Sequence, residues 1–174
     1  ADCRSNATSS SAMASAFLAE GAKSIVLADL HEDAVKAAAA EIGCIGMVCD
    51  VTKEADIISV VEQTLANEGQ IDLFCSNAGA GGNGLLTEAA NEVWQGQWDL
   101  HVMSHLYAAR AVLPSMIERG EGYLLNTASA AGLLAAIGSG PYTVTKAAAV
   151  KLAEFWPSRM ATMVSVFLCF ARRA

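Results

Sequence analysis

Proline is scarce in this 174-residue chain, at three residues, and aromatic residues make up only 6%. So little proline argues against a chain rich in linkers. No CxxC pair occurs among the five cysteines Cys3, Cys44, Cys49, Cys75 and Cys169. Their odd number and irregular spacing indicate neither a disulfide framework nor a metal site, and buried thiols in a reducing cytoplasmic setting are the expectation. Positive charge is short: 11 Lys and Arg stand against 18 Asp and Glu, a net charge of −7. A binder of the phosphate backbone needs a basic face, so no nucleic acid is expected as a partner. Long apolar runs are missing as well. The longest, near Ala12–Ala19 and Met163–Phe170, reach about eight residues against the roughly 20 that cross a bilayer, so no membrane partner is expected. The first has no basic flank or cleavage site of the expected form, so no signal peptide is read there. No GxSxG elbow occurs, which speaks against a serine hydrolase.

What is present suits a packed core. Hydrophobic residues make up 53%, with 34 Ala and 14 Gly, which excludes disorder and favours closely packed helices. The length is that of one domain, residues 1–174. Short apolar runs alternate with helical stretches. Strands are expected at Ser24–Asp29, Cys44–Cys49, Ile71–Ser76, Tyr123–Ala128 and Met163–Cys169. Helices are expected over Glu32–Ile42, Lys53–Glu68, Glu92–Arg119 with a break near Trp98–Leu100, and Tyr142–Arg159. In Lys53–Glu68, Ile57, Val61 and Leu65 form one buried stripe, and Gly69 stands where a C-terminal cap belongs. The strands are continuously apolar rather than alternating, the pattern of strands covered on both faces. Such strands separated by helices predict an α/β fold with a Rossmann-like, doubly wound parallel sheet.

Ligands in such sheets bind beyond the carboxyl ends of the strands. There stand Asp29, Asp50, the turn Asn77-Ala78-Gly79, and Ser129. In the dinucleotide pattern, an acid like Asp29 follows a glycine-rich phosphate loop by about 20 residues. Counting back reaches Ser5–Ser11, which holds no glycine. In Tyr142-Thr-Val-Thr-Lys146 the Tyr and Lys share one helical face, and an ammonium there favours the phenolate needed for proton transfer.

Together these residues resemble the short-chain dehydrogenase/reductase (SDR) family, from about Phe17 to Val150. The matching pieces are Ala19-Glu-Gly-Ala22, Asp29, Cys49-Asp-Val51, Asn77-Ala-Gly79, Asn126-Thr-Ala-Ser129 and Tyr142-xxx-Lys146. The resemblance implies an NAD-dependent oxidoreductase moving a hydride between nicotinamide and a small-molecule alcohol or ketone. Tyr142 would be the general acid and base. Lys146 would hold the nicotinamide ribose, and Ser129 would hydrogen-bond the substrate oxygen. Asp29 would pair with the adenosine ribose, favouring NAD over NADP. Asp50 and Val51 would flank the adenine, and Asn77, Ala78 and Gly79 would line the cofactor. A homodimer or homotetramer is implied, joined through the helix around Val102–Met116 and the helix after Lys146.

The chain also departs from the family. The glycines of TGxxxGxG fall on Arg4, Thr8 and Ser10, and the strand that should precede them has no residues to form it. Truncation, replacement or misreading of residues 1–11 would each account for this. A helix asparagine of the family falls on His101, which could serve as a proton relay. The Pro-Gly turn expected near Cys169-Phe-Ala-Arg172 is missing, as is the substrate-binding segment after it. Apolar Leu133–Ile137 favours an apolar carbonyl compound. The competing reading is a non-catalytic SDR-like fold or inactive fragment that acts through helix-mediated association.

Overall fold

A computed structural model describes the backbone of residues 4–82, 84–155 and 167–169, and the side chains of residues 9–82 and 84–155. The chain divides into two compact units at Gln70–Ile71.

The first unit holds α1 (Arg4–Ala19), β1 (Val26–Asp29), α2 (Glu32–Ile42), β2 (Ile45–Val48) and α3 (Glu54–Glu68). Strands β1 and β2 pair in parallel, from Val26 opposite Ile45 to Asp29 opposite Val48. Helix α2 carries Glu32 and Asp33 in its first turn, where the helix dipole favours acids. Its Val35 packs with Ala14 of α1 and Leu27 of β1. In α3, Ile57 and Val61 are buried as the stripe predicts, and Leu65 is half-buried. Gly69 caps that helix at φ 82°, its N–H donating to Leu65 O. One expectation fails in this unit. Ile45 and Val48 of β2 are 36% and 49% exposed, so β2 is not covered on both faces. Two four-residue strands make a small sheet, and α2 sits over it at Gly46, where a Cβ would stand 3.0 Å from Ala39 Cβ.

The second unit holds β3 (Leu73–Ser76), α4 (Asn91–Trp98), a π-helical turn (Asp99–Met103), α5 (Ser104–Arg119), β4 (Tyr123–Ser129), a 3₁₀ turn (Ala130–Gly132), α6 (Gly140–Phe155) and β5 (Phe167–Cys169). Its sheet runs β3-β4-β5, all parallel. Here the apolar run is covered: Leu124, Leu125, Asn126 and Ala128 of β4 are all buried. Ala108, Ala109, Val112 and Met116 of α5 and Ala149, Val150 and Ala153 of α6 are buried too.

The long helix does not break near Trp98–Leu100 but widens into the π turn. Ser104 N–H donates to Asp99 O, five residues back, and the Ser104 hydroxyl donates to the Leu100 carbonyl at 2.6 Å. That hydroxyl takes the place of the backbone donor Leu100 would meet in an α-helix. The expected segments Ala1–Cys3, Trp156–Arg159, Met163–Val166 and Phe170–Arg172 lie outside the described residues. Among the described residues no helix is long and apolar enough to cross a membrane.

Candidate active site

The second unit gathers its polar groups where β3 and β4 end. Asn77 comes just after β3, and its Oδ1 accepts from Thr127 Oγ1 of β4 at 2.7 Å. The Thr127 carbonyl accepts from Lys146 Nζ at 3.3 Å. Ser129 closes β4, and its Oγ accepts Ala131 N–H at 3.2 Å, capping the 3₁₀ turn. Gly132 seats that turn on α6: a Cβ there would lie 2.6 Å from the Lys146 carbonyl oxygen. The Ala136 N–H donates to Thr143 Oγ1 at 3.2 Å. The glycine-rich loop is tied to the start of α6. Gly84 N–H donates to Gly138 O and Gly140 N–H to Gly84 O, each at 3.1 Å, and the Ser139 hydroxyl donates to Gly82 O.

Tyr142, half-buried, lies in the first turn of α6, and Lys146 one turn on is 3% exposed. Lys146 Nζ stands 5.9 Å from the centre of the Tyr142 ring. His101, from the π turn, meets the same ring edge-on at 5.3 Å. His101 is fully buried, with Nδ1 2.9 Å from Thr145 Oγ1 and Nε2 3.3 Å from Ala80 N. Gly79 fills the space between: a Cβ there would lie 3.3 Å from Lys146 Nζ and 3.4 Å from His101 Nε2. Burial and the Lys146 charge push the His101 imidazole down to about 3. The same two causes push His105, buried one turn further along α5, down to about 4. Among the described residues neither ring nitrogen of His105 has a hydrogen-bond partner.

The remaining predicted residues belong to the first unit. Asp29, half-buried at the end of β1, accepts His31 N–H at 2.9 Å and lines a cleft with Ser10, Ser11, Leu27 and Val35. Asp50 accepts from the Thr52 hydroxyl at 2.7 Å and from Thr52 N–H at 3.1 Å, and pairs with Lys53 at 3.3 Å. The Thr52 hydroxyl above all holds that carboxyl below its ordinary range. Half-buried Val51 comes next, in the turn before α3.

Sequence reasoning missed Thr127, Gly132 and Thr145. Thr127 stands in the matching piece Asn126-Thr-Ala-Ser129 with no role of its own there, and Gly132 carries no signal beyond its place after an apolar run. A helical Thr usually returns its hydroxyl to its own helix, so Thr145 gives no signal either. His105, for which the sequence offers only a surface or packing role, is a packing residue. Leu133, Leu134 and Ile137 beside Ser129 are 58%, 73% and 100% exposed.

A family model described as short chain dehydrogenase matches residues 10–169. A 3beta-hydroxysteroid dehydrogenase of Eggerthella lenta is 35% identical over 145 residues, 79% of this chain and 55% of that protein. A short-chain dehydrogenase/reductase of Burkholderia phymatum, solved with NAD, superposes with a TM-score of 0.82 at 28% identity, covering 90% of this chain and 60% of its own. An actinorhodin polyketide ketoreductase solved with NADPH shares the fold at a TM-score of 0.86 and 23% identity, over 91% of this chain and 64% of its own. The chain spans about half the length of the curated relatives it matches.

Proposed function

This chain belongs to the short chain dehydrogenase family, and from that premise we propose that it carries the chemical centre of an NAD-dependent oxidoreductase that interconverts an alcohol and a ketone. The observation that carries the reading is the buried Lys146 ammonium beside the Tyr142 ring, at the end of the strand that closes on Ser129. When bound, the nicotinamide supplies or takes the hydride. Tyr142 gives a proton to the substrate oxygen in one direction and removes it in the other. Lys146 steadies the negative charge that develops on the Tyr142 oxygen and would hold the nicotinamide ribose hydroxyls. Ser129 Oγ accepts from Ala131, which leaves its own hydrogen to donate to the substrate oxygen. Exposed Leu133 and Leu134 just beyond Ser129 favour an apolar carbonyl compound.

The donor set fits a dinucleotide at two places. Asn77, Ala78 and Gly79 would line the nicotinamide end, where Gly79 leaves no side chain against Lys146. The Asp29 carboxylate in its cleft suits ribose hydroxyls and would repel a 2′-phosphate, which favours NAD over NADP. Asp50 is committed to Thr52 and Lys53, so with Val51 it would flank the adenine rather than bond to it. The family's glycine positions hold Arg4, Thr8 and Ser10, and no phosphate contact is assigned there. Self-association through α5 and α6 belongs to the same reading, supported by Ile117 and Phe155 at 60% and 75% exposure. So does a cytoplasmic setting, supported by the free thiols of Cys44, Cys49 and Cys75.

The test is Tyr142→Phe. Turnover of a ketone with NADH should be lost while the affinity for NAD, measured by calorimetry, stays at the wild-type value. Unchanged turnover in this variant would refute the assignment.

A further inference from the structure

Hydrogen bonds at both ring nitrogens leave the His101 hydrogen one place to sit. Ala80 N–H points at Nε2. A backbone N–H can only donate, so Nε2 presents its lone pair. A neutral ring with a bare Nε2 carries its hydrogen on Nδ1. Nδ1–H then donates to Thr145 Oγ1 at 2.9 Å, and Thr145 is the acceptor. The Thr145 hydroxyl hydrogen goes back along α6 to the Pro141 carbonyl at 2.9 Å, with the Tyr142 carbonyl at 3.2 Å as the alternative. Either way it ends on a backbone oxygen. Both His101 and Thr145 are fully buried, so water does not compete for these bonds.

We propose that the Ala80 N–H and Thr145 together lock His101 in the Nδ1–H tautomer, Ala80 keeping the hydrogen off Nε2 and Thr145, a positioning residue, accepting it from Nδ1, so that Nε2 is a fixed lone-pair acceptor at the Gly79–Ala80 turn beside Lys146 and the ring carries no protons to or from that point. A proton arriving at Nε2 would have to leave through Nδ1 into Thr145. That hydroxyl leads only to a carbonyl, and the path stops there. The groups facing the ring are Lys146 and Tyr142 from α6 and His105 from α5. The Lys146 charge opposes an imidazolium, in keeping with a ring that stays neutral. The relay suggested by the position of His101 in the sequence is therefore replaced by an acceptor. The catalytic meaning of the lock rests on the oxidoreductase reading; the tautomer itself does not.

The test is a long-range 1H–15N spectrum of the protein labelled at histidine, recorded from pH 8 to pH 5. The His101 signals are assigned by their loss in His101→Gln. The wild type should show the neutral Nδ1–H tautomer throughout. Thr145→Val removes the acceptor but leaves the Ala80 N–H in place, so the Nδ1–H tautomer should persist with its hydrogen unpaired, read as a change in the Nδ1 nitrogen and proton shifts, and Thr145→Ser should restore the wild-type shifts. An Nε2–H tautomer or an imidazolium in the wild type would overturn the proposal. So would an Nε2–H form in the Val variant, Nδ1 shifts that this variant leaves unmoved, or a folded Ser variant that does not restore them. If the Val variant does not fold, the wild-type and Ser spectra still decide. None of these readouts uses cofactor or turnover, so an absence of NAD-dependent activity would refute the oxidoreductase reading and leave the lock standing.

Discussion

Two histidines buried without charge should make this protein sensitive to mild acid. His101 and His105 are pushed down from 6.5 to about 3 and about 4, first by burial and then by Lys146. In the unfolded chain both are free to protonate near 6.5. Each therefore adds stability that is complete above 6.5 and is lost as pH falls from there toward the folded values. The loss is about 1.4 kcal/mol per pH unit for each group. Between pH 6.5 and 4.5 two histidines together lose about 5 kcal/mol, comparable with the whole stability of a small domain at about 5–15 kcal/mol. Most carboxylates titrate below this window, so the histidines dominate within it. The assay is urea unfolding followed by far-UV circular dichroism at pH 7, 5.5 and 4.5. The midpoint should fall steeply across the series. His105→Leu removes the ring whose two nitrogens have no partner among the described residues. It should stabilise the protein at pH 7 by about 1–2 kcal/mol and remove about half of the pH dependence. A midpoint that hardly moves between pH 7 and 4.5, or a His105→Leu variant with the wild-type slope, would refute the reasoning.

Two further outcomes are expected. Gly132→Ala would put a Cβ 2.6 Å from the Lys146 carbonyl oxygen, a backbone atom with little room to yield. It should cost about 1–3 kcal/mol, seen as a fall of several degrees in Tm, and an unchanged Tm would show that the 3₁₀ turn is not seated on α6. Ser10, which lines the Asp29 cleft, occupies a glycine position of the dinucleotide pattern. NAD should bind weakly, and Ser10→Gly should tighten it several-fold by calorimetry; tight wild-type binding, or no gain in the variant, would show that Ser10 does not obstruct the site.

Helix ends were the most readable part of the fold, because single residues set them. Acids at Glu32 and Asp33 and the left-handed Gly43 bound α2 at the expected residues, and Gly69 stops α3. Strand ends were less readable. Ser24 and Ile25 run into Val26–Asp29 with no break in the sequence pattern, but only Val26 onward pairs in register with β2. The π turn left no mark, since the spacing of apolar residues does not reveal whether a carbonyl is met four or five residues on. The site was legible to the extent that strand ends and one helical face define it: Asn77, Ser129, Tyr142 and Lys146 can all be found by counting. What counting could not supply was the interior of the site. The burial of His101, its bond to Thr145 and the bridge from Asn77 through Thr127 to Lys146 are made between elements distant in sequence.

The π turn also makes the length of its segment more forgiving than that of the helices beside it. Deleting one residue from Asp99–Met103 would let α4 and α5 fuse into one unbroken α-helix. Each residue of an α-helix accounts for about 100° of rotation, whereas the wider π turn spends less on each of its residues, so losing one residue and tightening the others nearly cancel, and α4 would keep its facing. Gln97 now packs against Gly82, where a Cβ would stand 2.8 Å from its carboxamide carbon. After such a deletion it would still meet the loop that Gly82 and Gly84 fasten to the start of α6. The π turn stores one residue of slack without turning the two helices out of phase, so a single-residue deletion inside it should disturb that packing far less than one inside α4, where the full rotation would be felt.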